Sequence, residues 1–426
     1  MTTSATASRE FATEVVRQLR SAGYVALWAG GCVRDYLMGR EAQDFDVATN
    51  ATPEQVRELF GKRRTLAVGQ SFGVIIVLPP DKAATQVEVA TFRTEGIYLD
   101  GRRPSEVVFS TPEEDAQRRD FTINGMFYDP IEDRLLDFVE GKADLDRKIL
   151  RAIGDPHERM TEDKLRMLRA VRFAATLEFT LDAHTLAAVT RMAPEMIVVS
   201  AERIAQELRK MLAHRTRVRG FQLLAETRLL HVIFPEVDLA DTHTIADILG
   251  GLWTNTRFEL ATAAILHQIS SPVSEPRSEA EARGTIWAMT RRLKLSSDEM
   301  TSIAWLVAHL DCWNDAEQQT DAQLKRVLAH PLSGDLRQLV RAIRTTQCLP
   351  LSPIEFVDDY AARHTPEQIN PPELISGRDL IQHGLPPGPQ FKSLLDTIRD
   401  AQLNGEIATR EEALEQLKLI MPSSKD

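Results

Sequence analysis

Residues 30–46 read GGCVRDYLMGREAQDFD, and their reading decides the fold. Just upstream, Tyr24 to Ala29 is a short apolar run after Gly23, which predicts a strand. The glycine pair turns that strand into a short helix ending at Gly39, and Phe45 to Ala48 predicts the next strand. Asp44 and Asp46 lie two residues apart, and strand side chains at that spacing share a face. Phe45 then turns into a core while both carboxylates can hold one or two Mg²⁺ ions, for which hard oxygen ligands are suited. Two such ions about 4 Å apart can activate an attacking hydroxyl and neutralise a triphosphate leaving group. Read alone, an Asp-x-Asp pair is equally a solvated strand end. The glycines change that reading, since backbone N–H groups at such a turn approach phosphate oxygens closely. Arg34 adds a charge-assisted contact. Gly30, Gly31, Arg34, Asp44 and Asp46 together read as a triphosphate-and-metal site.

Three more stretches extend the site. Glu88 interrupts the apolar run VEVATFR, where a charge is costly unless paired or metal-bound, so it is the candidate third carboxylate; an exposed alternate-face position is the other reading. In RRDFTINGMFYD, residues 118–129, Asp120 and Asn124 fall one turn apart if the segment is helical. With Arg119 they could hold a ribose or order the arginines, or the segment is a cap with solvated charges. EDKLRMLRAVRFAA, residues 162–175, predicts one arginine-rich helix with Arg166, Arg169 and Arg172 at every third position. Asp163 and Arg166 are then neighbours on one face, an acceptor beside a donor. That pair suits a Watson–Crick edge with an amino donor beside a ring-nitrogen acceptor, as in cytosine and adenine. Uracil and guanine present the opposite pattern, at roughly 1–3 kcal/mol per unsatisfied group. An intrahelical ion pair is the plainer alternative.

The rest of the chain sets bounds. Its 426 residues suggest two to four domains. With 43% hydrophobic and 27% charged residues it is an ordinary globular sequence. No apolar run approaches the roughly 20 residues of a membrane span, and the N-terminus lacks a secretory pattern. Cys32, Cys312 and Cys348 are too few and too scattered for a disulfide scaffold. The cytoplasm is the expected compartment. Net charge is −11, yet residues 1–220 hold 32 Lys and Arg against 33 Asp and Glu, and the remainder 19 against 29. A basic groove can therefore exist in the first half. Mixed strands and helices to about residue 140 predict a compact α/β head, and long amphipathic segments follow, the first over 161–176.

These stretches in this order resemble the class II tRNA nucleotidyltransferase and bacterial poly(A) polymerase family. GGCVRD with DFD is similar to its catalytic motif, RRDFTIN to its ribose-selecting motif, EDKLR to its amino-acid nucleotide template and ERIAQELRKML, residues 202–212, to its neck helix. TFRTEGIYLDGRRPSEVVF, residues 91–109, is similar to its flexible loop, and QLNGEIATREEAL, residues 402–414, to its tail.

The resemblance implies an α+β protein with an N-terminal mixed-sheet, palm-like head over 1–145. An all-helical neck over 146–215, a body over 216–360 and a tail over 361–426 would follow. It implies attack of a tRNA 3′-hydroxyl on the α-phosphate of CTP or ATP, releasing pyrophosphate. Asp44 and Asp46 would bind Mg²⁺, with Glu88 beside them. Gly30, Gly31 and Arg34 would take the triphosphate, and Arg119, Asp120 and Asn124 the ribose. Asp163 and Arg166 would read the base, with Arg169 and Arg172 on the same helix. VGQSFGV, residues 68–74, lacks the paired arginines of poly(A) polymerases and looks more like CCA-adding members. Gly101 to Pro104 keep the loop that CC-only members lack. Poly(A) polymerase and an A-adding enzyme with a separate CC-adding partner are the alternatives. A phosphohydrolase of the His-Asp type is disfavoured because Gln268 follows His267, so 258–310 reads as structural.

Overall fold

The computed structural model describes residues 4–42, 44–69, 73–80, 84–95, 107–269, 279–383, 385 and 387–420. By its internal contacts the chain divides into two units. One is Met1–Met211 with Arg219–Pro235, and the other is Leu212–Val218 with Glu236–Asp426.

The first unit is built on a seven-stranded sheet. Its strands are β1 (Ala26–Ala29), β2 (Phe45–Thr49), β3 (Thr65–Gly69), β4 (Val74–Val77) and β5 (Val87–Thr91). After a separate hairpin, β6 (Arg93–Glu95) with β7 (Val107–Phe109), come β8 (Phe127–Asp129) and β9 (Arg134–Leu136). The order across the sheet is β3-β4-β5-β2-β1-β8-β9. Every pairing is antiparallel except β2 with β5. A parallel pair needs a crossover, and here it runs through α3 (Pro53–Phe60), β3 and β4.

Local sequence explains these elements. α1 (Ser4–Ser21) buries Phe11, Val15, Val16 and Leu19, the helically spaced positions of its apolar face. α2 (Gly31–Leu37) follows the glycine turn. Thr52 caps α3 in a capping box with Gln55, and Pro53 occupies the first turn, where its missing N–H costs nothing. Strand alternation sorts the two faces. Leu27, Ala29, Ala48 and Phe127 pack with Phe92 and Ala116 on one side, while Trp28 meets Phe45 and Tyr128 on the other.

Beyond the sheet the unit is mostly helical: α4 (Pro112–Gln117), α5 (Gly141–Arg147), α6 (Pro156–Glu162), α7 (Leu165–Leu177), α8 (Ala183–Met192) and α9 (Ala201–Leu212). The segment expected to be all-helical also carries a two-residue parallel ladder, β10 (Ile149–Leu150) with β11 (Thr180–Leu181). The second unit consists of helices among its described residues, and Thr409 and Glu412 form a reciprocal cap there. No helix among the described residues is long and apolar enough to cross a membrane.

Candidate active site

Strand register builds the site. In the antiparallel β1–β2 ladder Asp46 stands opposite Ala29, the last residue before the glycine turn. Gly30 adopts φ +74°, and its N–H bonds the Met126 carbonyl at 3.3 Å. A Cβ built there would lie 3.0 Å from Arg119 Nη1 and 3.9 Å from Asp46 Oδ2. Only glycine both takes that backbone conformation freely and leaves that room. Gly31 is ordinary by comparison, since the nearest atom to its built Cβ is Arg34 Nη2 at 3.6 Å. The turn, Asp46, Arg34, Arg119, Asp120, Asn124, Asp163, Arg166, Arg169 and Arg172 line one cleft of about 570 Å³.

The carboxylates behave as a like-charged set. Asp46 and Glu88 are register partners on the parallel strands β2 and β5. Asp46 opens to the cleft but is walled by protein elsewhere; this burial, then Glu88, pushes its carboxyl up to about 6, with Asp44 adding to the rise and Arg119 opposing it. Asp44 is exposed and precedes β2 rather than lying within it, which corrects the expectation that both aspartates sit on the strand. Among the described residues no three His, Cys, Asp or Glu side chains gather closely enough to hold a metal, so Glu88 does not complete a protein triad in this geometry. The pair of aspartates still fits Mg²⁺, which characteristically takes one or two carboxylates and fills its shell with water and substrate phosphates.

A connected lattice of arginines and carboxylates forms the rest. Arg34 Nη1 donates to Asn124 Oδ1 at 2.8 Å, and Asn124 Nδ2 donates to Asp120 Oδ1 at 3.1 Å. Arg169 Nε donates to Asp120 Oδ2 at 2.9 Å. Burial pushes the Asp120 carboxyl up, but Arg169, with Asn124 and Arg166, together outweigh it and hold the group below the usual carboxylate range. The 118–124 segment is not a helix; Phe121 forms a β-bridge with Ala152 and Thr122–Asn124 is a 3₁₀ turn. The Asp120–Asn124 contact survives because that turn brings the two side chains together. Arg119 is fixed by Asp115, whose Oδ2 accepts from Nε at 3.1 Å and Nη2 at 3.0 Å. Arg118 Nε donates to the other oxygen of the same buried carboxylate at 2.7 Å.

The predicted helix over 161–176 is two helices, broken at Asp163 and Lys164. Asp163 is extended, with φ −143° and ψ 105°, and its Oδ1 accepts the Leu165 N–H at 3.0 Å. An aspartate that bonds nearby backbone competes with the helix, and here it wins. Asp163 and Arg166 are therefore not neighbours on one helical face, although both line the cleft. Asp163 is held instead by Arg203 of α9, through Nη2–Oδ2 at 2.6 Å and Nη1–Oδ1 at 3.1 Å. Arg166 donates to Glu162, to the Arg159 carbonyl at 3.0 Å and to the Arg118 carbonyl at 3.1 Å. These bonds engage three of the five N–H donors of a guanidinium. Arg172 pairs with Glu207, and burial pulls its pKa down.

Sequence reasoning missed Arg203 and Lys210, which also line the cleft, and Glu207, which pairs with Arg172. The three recur at i, i+4 and i+7 of α9, a charged stripe that could have been read from ERIAQELRKML. Asp115 was missed too, although Arg118 and Arg119 stand at i+3 and i+4 from it, whereas Phe173 carried no such signal. The 95–104 loop, apart from Glu95, and residues 70–72 of VGQSFGV lie outside the described residues. His267 is buried, with Nδ1 2.9 Å from the Ala264 carbonyl, and burial lowers its pKa.

Residues 26–151 match the Poly A polymerase head domain, 178–240 the RNA and SrmB-binding site of polymerase A, and 285–417 tRNA nucleotidyltransferase domain 2. A CCA-adding enzyme of Levilactobacillus brevis is 32% identical over 421 residues, covering 95% of this chain and 96% of its own. One from Geobacillus stearothermophilus is 33% identical over 405 residues and 94% of each chain. The crystal structure of Bacillus stearothermophilus CCA-adding enzyme in complex with CTP aligns with a TM-score of 0.73 at 29% identity, over 96% of this chain and 97% of that one. Thermotoga maritima CCA-adding enzyme complexed with tRNA shares the fold, with a TM-score of 0.65 at 20% identity over 96% and 94%.

Proposed function

The chain belongs to the CCA-adding enzyme family, and we propose that it builds the 3′ end of tRNA by adding CMP and AMP from CTP and ATP without a nucleic-acid template. The RNA 3′-hydroxyl attacks the α-phosphate, a new phosphodiester forms, and pyrophosphate leaves. The observation that carries this reading is the single cleft in which Asp46 and the Gly30 turn share space with Asp163 and Arg166. A phosphate-transfer corner and a base-reading corner thus address one bound nucleotide.

Asp44 and Asp46 would hold Mg²⁺, which when bound supplies activation of the hydroxyl and neutralisation of the departing charge. Arg34 and the Gly30–Gly31 turn take the triphosphate, and Arg119, braced by Asp115, stands beside Asp46 to balance it. Asp120 and Asn124 orient the ribose side. Asp163 accepts from the exocyclic amine of cytosine or adenine while an unengaged N–H of Arg166 donates to the ring nitrogen. UTP and GTP present donor to donor and acceptor to acceptor, at about 1–3 kcal/mol per mispaired group. The 1–145 segment acts as head, 146–215 as neck, 216–360 as body and 361–426 as tail. A tRNA substrate and the lack of a membrane-spanning helix among the described residues fit a cytoplasmic enzyme.

The test is product length. Purified protein is incubated with tRNA ending at the discriminator base and with CTP, ATP or both. Three added nucleotides, and no more, supports CCA synthesis. One A on a CC end only, or a long A tract on any RNA, identifies the A-adding or poly(A) alternative, and no addition rejects the enzyme reading.

A further inference from the structure

Phe173 has no role in the nucleotide contacts described so far, yet it lines the cleft. Its side chain is 8% exposed, lines the cleft and meets Phe121 edge to face at 5.8 Å. Three guanidinium carbons stand around its ring, Arg172 at 3.8 Å, Arg169 at 5.2 Å and Arg34 at 5.4 Å from the centroid. All fall within the roughly 6 Å over which an aromatic quadrupole attracts a cation. Two of these arginines come from α7, but Arg34 comes from α2, after the glycine turn. The chain Arg34–Asn124–Asp120–Arg169 links the same two arginines by hydrogen bonds. Phe173 closes that chain into a ring of contacts.

We propose that Phe173 is a positioning residue, whose aromatic face fixes Arg34 at a set distance from Arg169 and Arg172 so that the triphosphate end and the base end of one nucleotide are held in a single frame. The proposal rests on the reading of this cleft as a nucleotide site. Like-charged guanidiniums repel; Glu207 joins Arg169 to Arg172, and Asp120 with Asn124 joins Arg169 to Arg34, but neither link sets the gap between Arg34 and Arg172 directly. The electron-rich ring between them does, and an aliphatic side chain of similar bulk cannot. Phe173 touches the arginines and acts on the nucleotide only through them.

The experiment uses the full chain with 4-fluoro-, 3,5-difluoro- and 3,4,5-trifluorophenylalanine at position 173, beside Phe173→Leu. Fluorination drains the quadrupole with little change of shape. KM for CTP and ATP is expected to rise stepwise with fluorine number, reaching roughly tenfold for the trifluoro ring. The ratio of CTP to UTP use falls in parallel, while KM for tRNA and the melting temperature stay near wild type. Calorimetric binding of CTP to the same proteins follows the same series without turnover. A flat series, in KM or in CTP affinity, overturns the role of the ring, and so does Phe173→Leu matching wild type. If the unsubstituted protein adds no nucleotide to tRNA, the functional reading fails by itself, and the CTP-binding series still decides the role of Phe173.

Discussion

Asp163 is clasped by Arg203, forty positions along the chain, through two hydrogen bonds of 2.6 and 3.1 Å, and not by Arg166 three positions away. The carboxylate expected to face the nucleotide base is therefore oriented by α9. An aspartate freed of that clasp could rotate and lose its fixed acceptor direction. Arg203→Ala is expected to lower the preference for CTP over UTP by about tenfold, one lost hydrogen-bond discrimination of ~1.4 kcal/mol. Rates with all four nucleoside triphosphates check this, and an unchanged preference contradicts it. Arg166→Ala removes the donor itself and should relax the preference at least as far.

The glycine pair separates into one required and one permissive position. Gly30→Ala meets both a positive φ and Arg119 Nη1 at 3.0 Å, whereas Gly31→Ala meets only an ordinary contact. Gly30 combines φ 74° with ψ −133°, a sparsely populated region that costs a non-glycine residue about 1–3 kcal/mol. Gly30→Ala is expected to cut addition by a factor of about a hundred, since a shift of about 1 Å between Arg119 and Asp46 is enough to lose that much through orientation. Gly31→Ala should keep the fold unstrained and lose less activity than Gly30→Ala, its loss confined to KM for the nucleotide. Steady-state kinetics of the two variants side by side decide the matter.

Asp120 provides a pH test. Its folded pKa lies below the usual value of about 3.9. Its charge therefore stabilises the fold fully above that value, and the contribution disappears as pH falls through the lower, folded value. Asp120→Asn keeps an acceptor for the Phe121 N–H but loses the Arg169 pair. Breaking a buried pair costs about 3–5 kcal/mol. Arg169 is 31% exposed and has Glu207 at 3.7 Å, so about 2 kcal/mol is the expectation here. Calorimetric melting should fall by about 4–8 °C at pH 7, and the gap to wild type should narrow below about pH 4. A gap that stays constant into acid contradicts the assignment.

What the sequence revealed was local. The apolar runs at Tyr24–Ala29 and Phe45–Ala48 announce β1 and β2, and the glycine pair between them announces α2. The break at Asp163 left no trace in the periodicity, because Met160, Leu165, Met167 and Leu168 are all buried and continue the apolar spacing through it. A side chain bonding to backbone made the break, and hydrophobic pattern does not record that. Arg203 was hidden for a different reason: its partner Asp163 lies forty positions away and is brought to it by the packing of separate elements. Phe173 is buried beside Arg169 and Arg172 of its own helix, but only the fold brings Arg34 to its ring.

Removing divalent ions with a chelator is expected to stop addition, and Mg²⁺ to restore it, since two carboxylates without a cation leave the triphosphate unneutralised. Persistence of addition in chelator contradicts the metal role of Asp44 and Asp46.

The central claim is that the β1–β2 register, which sets Asp46 beside Gly30, places the chemistry. Single-turnover addition of CMP to tRNA by Asp46→Asn tests it, with tRNA affinity measured on the same protein. The expected rate is at least about a thousandfold below wild type, with tRNA binding nearly unchanged. A rate within tenfold of wild type would contradict it.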